Sequence, residues 1–168
     1  MGSIDAPNED QTSVEAGTLR ALLRSELSAC AAYRAVVPAV ERGGEFPALS
    51  LRGLLKSHRR FAGELREVLR RQSVDPSGID GVADEWVHAH DGIAGLPERA
   101  DGPSIFRSLR AGERAALAKA RAALEVLDEP SAAFLRHRFV PGLEEHLELL
   151  DTLAGFQDWL ARPEPQLA

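Results

Sequence analysis

Apolar positions recur every three or four residues over four long stretches, which predicts four amphipathic helices. Over residues 13–41 they are Leu19, Leu22, Leu23, Leu27, Cys30, Tyr33, Val37 and Val40. Over 47–72 they are Leu51, Leu54, Leu55, Phe61, Leu65, Val68 and Leu69. Over 104–127 they are Phe106, Leu109, Ala116, Leu117, Ala120, Leu124 and Leu127. Over 131–160 they are Leu135, Phe139, Leu143, Leu149, Leu150, Leu153 and Phe156. Pro38 is expected to kink or stop the first helix, and Gly43-Gly44 to break it from the second. Ser104 and Ser131 are suited to cap the third and fourth helices, and Pro141-Gly142 to interrupt the fourth.

The character changes between residues 73 and 103. Asp75-Pro76-Ser77-Gly78, Gly92, Gly95, Pro97 and Gly102-Pro103 punctuate this stretch, leaving room for one short helix over 79–93 that packs Trp86 on the bundle. The first and third connections are therefore short and the middle one long. A single long crossover is the ferritin-like arrangement; an up-down bundle needs three short loops. The expectation is an all-α fold: a ferritin-like four-helix bundle over 13–161, with a short helix in the long crossover between helices 2 and 3. A disordered arm, 1–12, precedes it and a flexible tail, 162–168, follows.

Each stripe holds one polar residue able to bind a metal: Glu26, His58, Glu113 and His146. Their neighbours keep the helical rhythm, as in Leu22-Glu26-Cys30-Tyr33 and Leu54-His58-Phe61-Leu65. Burying such groups is costly unless they are paired, hydrogen-bonded or bound to an ion. Their depths also agree. Glu26 and His58 are equidistant from position 42, and Glu113 and His146 from the Glu129–Pro130 boundary. Each lies about sixteen residues from its turn, roughly 24 Å at the helical rise. The four are expected to meet in one layer near mid-bundle.

The bulk numbers narrow the setting. The 168 residues suit one domain with a sizeable core, and 44% hydrophobic with 27% charged residues is ordinary for a globule. Only 5% of residues are aromatic, which favours helix over sheet. The net charge of −6 argues against nucleic acid as a partner. The seven basic residues from Arg52 to Arg71 read as a solvated face of helix two. With one cysteine, Cys30, an internal disulfide is impossible. No apolar run would span a bilayer and the N-terminus lacks an apolar signal core, so the expected location is a bacterial-type cytoplasm.

Several segments resemble the bacterial ferritin-like four-helix-bundle family of unknown function, the DUF2383 type. They are Ala32-Tyr33-Arg34-Ala35, Arg59-Arg60-Phe61-Ala62-Gly63-Glu64-Leu65, Glu85-Trp86, Gly112-Glu113-Arg114-Ala115-Ala116-Leu117 and Glu145-His146. The similarity spans roughly 19–153. The chain departs from it at Ala32, where a glycine is usual, and near Arg121, where an aromatic is usual. The resemblance implies the fold and no particular activity. Ferritin-like di-iron proteins draw a Glu from one helix and a Glu-x-x-His from the next in each half. Here both motifs read Leu-x-x-His, with Leu55 before His58 and Leu143 before His146. A paired-iron centre loses its bridging carboxylates.

Three classes of function follow. The leading one is a non-catalytic ferritin-like protein with a degenerate metal site, stress-associated or an interaction module, in which two Glu-His pairs satisfy one another. Its rival is a metal-binding protein or metal-dependent oxidoreductase holding a single iron, manganese or zinc ion at Glu26, His58, Glu113 and His146. The third is a helical adaptor docking a partner at Trp86 and Ile93. A homodimer is expected by analogy alone. Tyr33 reads as core in preference to a partner of a layer carboxylate, and Cys30 as a small buried hydrophobe in preference to a soft ligand. Asp84, His88 and His90 read as an incidental surface cluster, and His137 as surface. No nucleophile elbow, phosphate loop, HExxH or CxxC is present, so hydrolase or kinase chemistry has no support.

Overall fold

In a computed structural model, which describes residues 9–42, 45–94 and 102–160, the chain is helical, with no strand among the described residues. Helix α1 (Glu9–Glu41) and helix α2 (Glu45–Arg71) form one hairpin. A short helix, α3 (Asp84–Ala94), lies in the crossover, and α4 (Gly102–Ala123) begins the second half. That half returns through α5 (Glu129–Phe134), a π-helical turn (Leu135–Phe139) and α6 (Val140–Leu160). The closest helix pairs are α1 with α2 and α4 with α6, and α3 packs mainly on α4 and α1.

The expected apolar stripes face inward. Leu19, Leu22, Leu23, Leu51, Leu65, Leu69, Phe106, Leu109, Leu135, Phe139, Leu143 and Leu150 are all buried in one core. Such burial contributes about 1.5–3 kcal/mol per large side chain and is the main driving force for the fold. The basic face of α2 is largely exposed, with Arg52 paired to Glu41 and Arg70 and Arg71 to Glu67.

The boundaries differ from the sequence reading in five places. Helix α1 starts at Glu9, so 9–12 belong to the helix and only 1–8 of the expected arm fall outside the described residues. It also runs through Pro38, whose ring sits on an exposed position near the last turn. The expected Gly43-Gly44 break and the tail 162–168 lie outside the described residues. Helix α4 begins at Gly102, which puts Ser104 inside its first turn instead of at the cap.

At the start of the return, the cap is Asp128, not Ser131: its Oδ1 accepts the Ser131 N–H at 3.0 Å. Ser131 is buried, and its Oγ accepts from Gln72 Nε2 at 3.1 Å, tying the end of α2 to the start of α5. Finally, Pro141-Gly142 does not break the last helix. The wide π-helical turn just before it bonds the Val140 N–H back to the Leu135 carbonyl. One extra residue per turn moves the backbone that a proline ring would otherwise strike.

Two glycines hold the core apart by the width of a ring. A Cβ on Gly112 would stand 2.5 Å from the Trp86 indole, and one on Gly142 would stand 2.3 Å from Phe61 Cζ. Trp86 is wholly buried, and its Nε1–H donates to Ser25 Oγ at 3.2 Å. Helix α3 is further fastened by the Ala83 N–H to Ser28 Oγ and by Glu85 to Lys119. With Trp86 buried, its ring offers a partner no surface, which weakens the adaptor reading at that residue; the Ile93 side chain lies outside the described residues.

A Gly112→Ala substitution is expected to cost about 1–3 kcal/mol, the usual range for overpacking. Urea unfolding followed by circular dichroism measures it. A change within 0.5 kcal/mol of wild type would mean that the indole has room to move.

Candidate functional site

The four polar intruders meet. Glu26 comes from α1, His58 from α2, Glu113 from α4 and His146 from α6, and all are buried, His146 the least so at 4% exposure. Helical spacing places each beneath its own apolar neighbours, and the equal distance from each turn brings them to one level.

His58 is the hub. Its Nδ1 lies 2.8 Å from Glu26 Oε2 and its Nε2 lies 2.7 Å from Glu113 Oε1. With both ring nitrogens against carboxylates, a doubly protonated imidazolium donates in both directions. The Tyr33 hydroxyl adds a third bond, donating to Glu113 Oε1 at 2.6 Å. Tyr33 is thus both core and a partner of the layer, which corrects the reading that set the two against each other. His146 Nδ1 stands 3.5 Å from the same oxygen, close enough for attraction but too far for a good hydrogen bond. The His58 and His146 rings meet edge to face with centroids 4.6 Å apart.

Three buried polar atoms in this layer have no hydrogen-bond partner: Glu26 Oε1, Glu113 Oε2 and His146 Nδ1. Such orphans are rare in a settled core and call for an explanation such as an ion or a water. His58, Glu113 and His146 each offer a ligating atom, and these atoms lie within 4.8 Å of one another. Glu26 stands apart from this group, on the Nδ1 side of His58.

The protonation states follow from burial and neighbours. Burial alone would lower the basicity of His58, but Glu113 and Glu26 together outweigh it and raise its pKa well above 6.5. Burial pulls Glu113 upward, yet His58 foremost and His146 behind it hold its carboxyl far below 4.5. For Glu26 burial wins over His58, and its pKa is raised. Burial, then Glu113, pushes the Tyr33 phenol well above 10.0, so it stays a donor.

The other candidates fall elsewhere. Cys30 is buried, and burial raises its thiol pKa, as suits a small core residue. His90 is half-buried, with Nε2 2.9 Å from the Ser28 carbonyl, so it fastens α3 to α1 instead of standing idle on the surface. Asp84 and His137 are exposed, and the His88 side chain lies outside the described residues. Leu55 and Leu143 are both buried where bridging carboxylates would be needed. The role of Glu85, which accepts from Lys119 at 2.8 and 3.0 Å, was not legible in the sequence, because the partners are 34 residues apart on helices of unknown packing. No family model, curated relative or solved structure matches the chain.

Without metal, Glu113 and His58 together favour the folded state most between about pH 4.5 and 6.5, while Glu26, with its raised pKa, works against it as the pH climbs through its folded value. Glu113, with its lowered pKa, contributes fully above 4.5 and loses that contribution as acid protonates it. His58, with its raised pKa, contributes fully below 6.5 and loses it as the pH climbs through its folded value. Thermal melts from pH 4 to 10 check this, and His58→Gln should flatten the alkaline limb. Tyr33→Phe should cost about 1–3 kcal/mol by removing a bond to a buried carboxylate. An alkaline limb that survives in His58→Gln would assign the titration to another group.

Proposed function

We propose that this protein is a ferritin-like bundle that holds one transition-metal ion in its core, ligated by His58, Glu113 and His146, one residue from each of three helices. The observation that carries the reading is the convergence of three buried ligating atoms, two of the residues bearing atoms without a hydrogen-bond partner. Two imidazoles and a carboxylate suit iron or zinc best and manganese less well. Glu26 then serves as an orienting partner: it fixes the His58 ring through Nδ1 while Nε2 faces the site. This narrows the four-ligand reading to three ligands and one support.

Leu55 and Leu143 argue for one ion in place of two, since nothing at their positions can bridge a second. In that sense the site is degenerate relative to a di-iron centre. The proposed role is to hold an ion, and the supporting observations concern ligation alone. A second reading has its own support: His58 is already satisfied on both sides by carboxylates, so the layer can stand without metal as a device that fixes helix register.

Elemental analysis of protein purified without chelator separates the two. The metal reading expects about one iron, zinc or manganese per chain, a melting temperature lowered by chelator, and loss of the ion in His146→Ala and Glu113→Gln. Binding should strengthen as pH rises, because the ion displaces the His58 Nε2 proton. A metal-free protein that takes up none of these ions and melts alike with and without chelator would favour the register reading.

A further inference from the structure

Two aromatic rings flank the layer, and each sits in a notch left by a glycine. Trp86 lies over Gly112, the residue before Glu113, and Phe61 lies against Gly142, one turn before His146. The two rings close different seams, and they are held in different ways. Trp86 covers the α1–α4 side and is bolted down. Its indole donates to Ser25, and its helix is fastened to Ser28 twice, by Ala83 and His90, and to Lys119 by Glu85. Phe61, on the α2–α6 side, is held by packing without a hydrogen bond, with Phe139 at 5.1 Å and His146 at 5.9 Å.

The cover beyond each ring also differs. Outside Trp86 lies the rest of helix α3. Outside Phe61 lies the exposed Arg60, its guanidinium 5.0 Å from the ring centroid. The same ring thus neighbours both a surface side chain and His146, the layer residue with most exposure and with its Nδ1 unpartnered. The row of rings continues outward through Phe139 to Phe134, 6.0 Å apart. Phe134 lines a surface cavity of about 160 Å³ whose charges balance, Glu64 and Glu67 against Arg71 and Arg138. Arg138 pairs with Glu64 Oε1 at 2.7 Å, while Glu64 Oε2 is buried without a hydrogen-bond partner.

We infer that the core layer is reached between α2 and α6, with the Phe61 ring as the gate. Passage of a metal ion through this gate rests on the proposed metal site; the gate itself does not. Swinging Phe61 aside breaks no hydrogen bond, whereas moving Trp86 breaks its own bond to Ser25 and strains the fastenings of α3. The π-helical turn 135–139 lies on the same seam, where the backbone is already wider than an α-helix.

The test uses two readouts on the full chain. The first is the rate at which cobalt(II) enters metal-free protein, followed by its ligand-field absorbance. The second needs no metal: the rate of diethyl pyrocarbonate modification of His146, followed by mass spectrometry. Phe61→Leu is expected to speed both by roughly tenfold, which corresponds to about 1.4 kcal/mol off the opening barrier. Gly142→Ala, which pushes the same ring from its seat, should act in the same direction and guards against a folding defect in Phe61→Leu. Trp86→Phe should leave both rates near wild type. Unchanged rates in both gate variants, or acceleration by Trp86→Phe only, would overturn the inference. If no variant or wild type holds cobalt, the metal reading has failed, and the modification rates alone decide the gate.

Discussion

The physical constraint that organises this protein is the cost of placing carboxylates and imidazoles in a low-dielectric core. An isolated buried charge is worth avoiding at almost any structural expense. The chain meets that constraint with a continuous row, Glu26–His58–Glu113, whose links are 2.8 and 2.7 Å long. Tyr33 adds a donor at 2.6 Å to the oxygen that His58 already contacts. These bonds need α1, α2 and α4 at one height and one rotation. Apolar burial draws the helices together, and the polar row selects which of many similar packings they adopt.

The same row explains why a ring and a glycine recur around it. A layer of charged groups keeps its strength only while water is excluded. Trp86 and Phe61 exclude it from opposite sides, and each needs a helix surface without a Cβ to lie against. Gly112 and Gly142 lie inside helices α4 and α6, where glycine is intrinsically unfavourable by about 1 kcal/mol. Their value is the space they leave, and the ring that fills it recovers the cost through burial.

Much of this was legible in the sequence. Steps of three and four exposed the stripes, and equal distances from the turns put Glu26 beside His58 and Glu113 near His146. What the stripes could not resolve was rotation within the layer. A helical wheel places a residue on a face to within tens of degrees, too coarse to say which side of the His58 ring each carboxylate would take. Hence the four residues read as equals, while Glu26 stands apart on Nδ1. Tyr33, two turns from Glu26, was assigned by type and not by reach, and its hydroxyl found Glu113 across the bundle. The last helix was misread at Pro141 because a π-helical turn leaves no clear sequence mark. The links from α3 to Ser25, Ser28 and Lys119 depend on a crossover path that punctuation by Gly and Pro only bounds.

Glu113 Oε1 has a further significance, through connectivity. It accepts from Tyr33 and His58, both of which belong to the first helical hairpin, whereas Glu113 itself belongs to the second. Detached from its mate, the second hairpin would keep a buried anion with only His146 nearby, and the first would keep an imidazole with one carboxylate missing. Neither half is equipped to exist alone. The two hairpins should therefore melt as one cooperative unit, without a half-folded species between the native and denatured states.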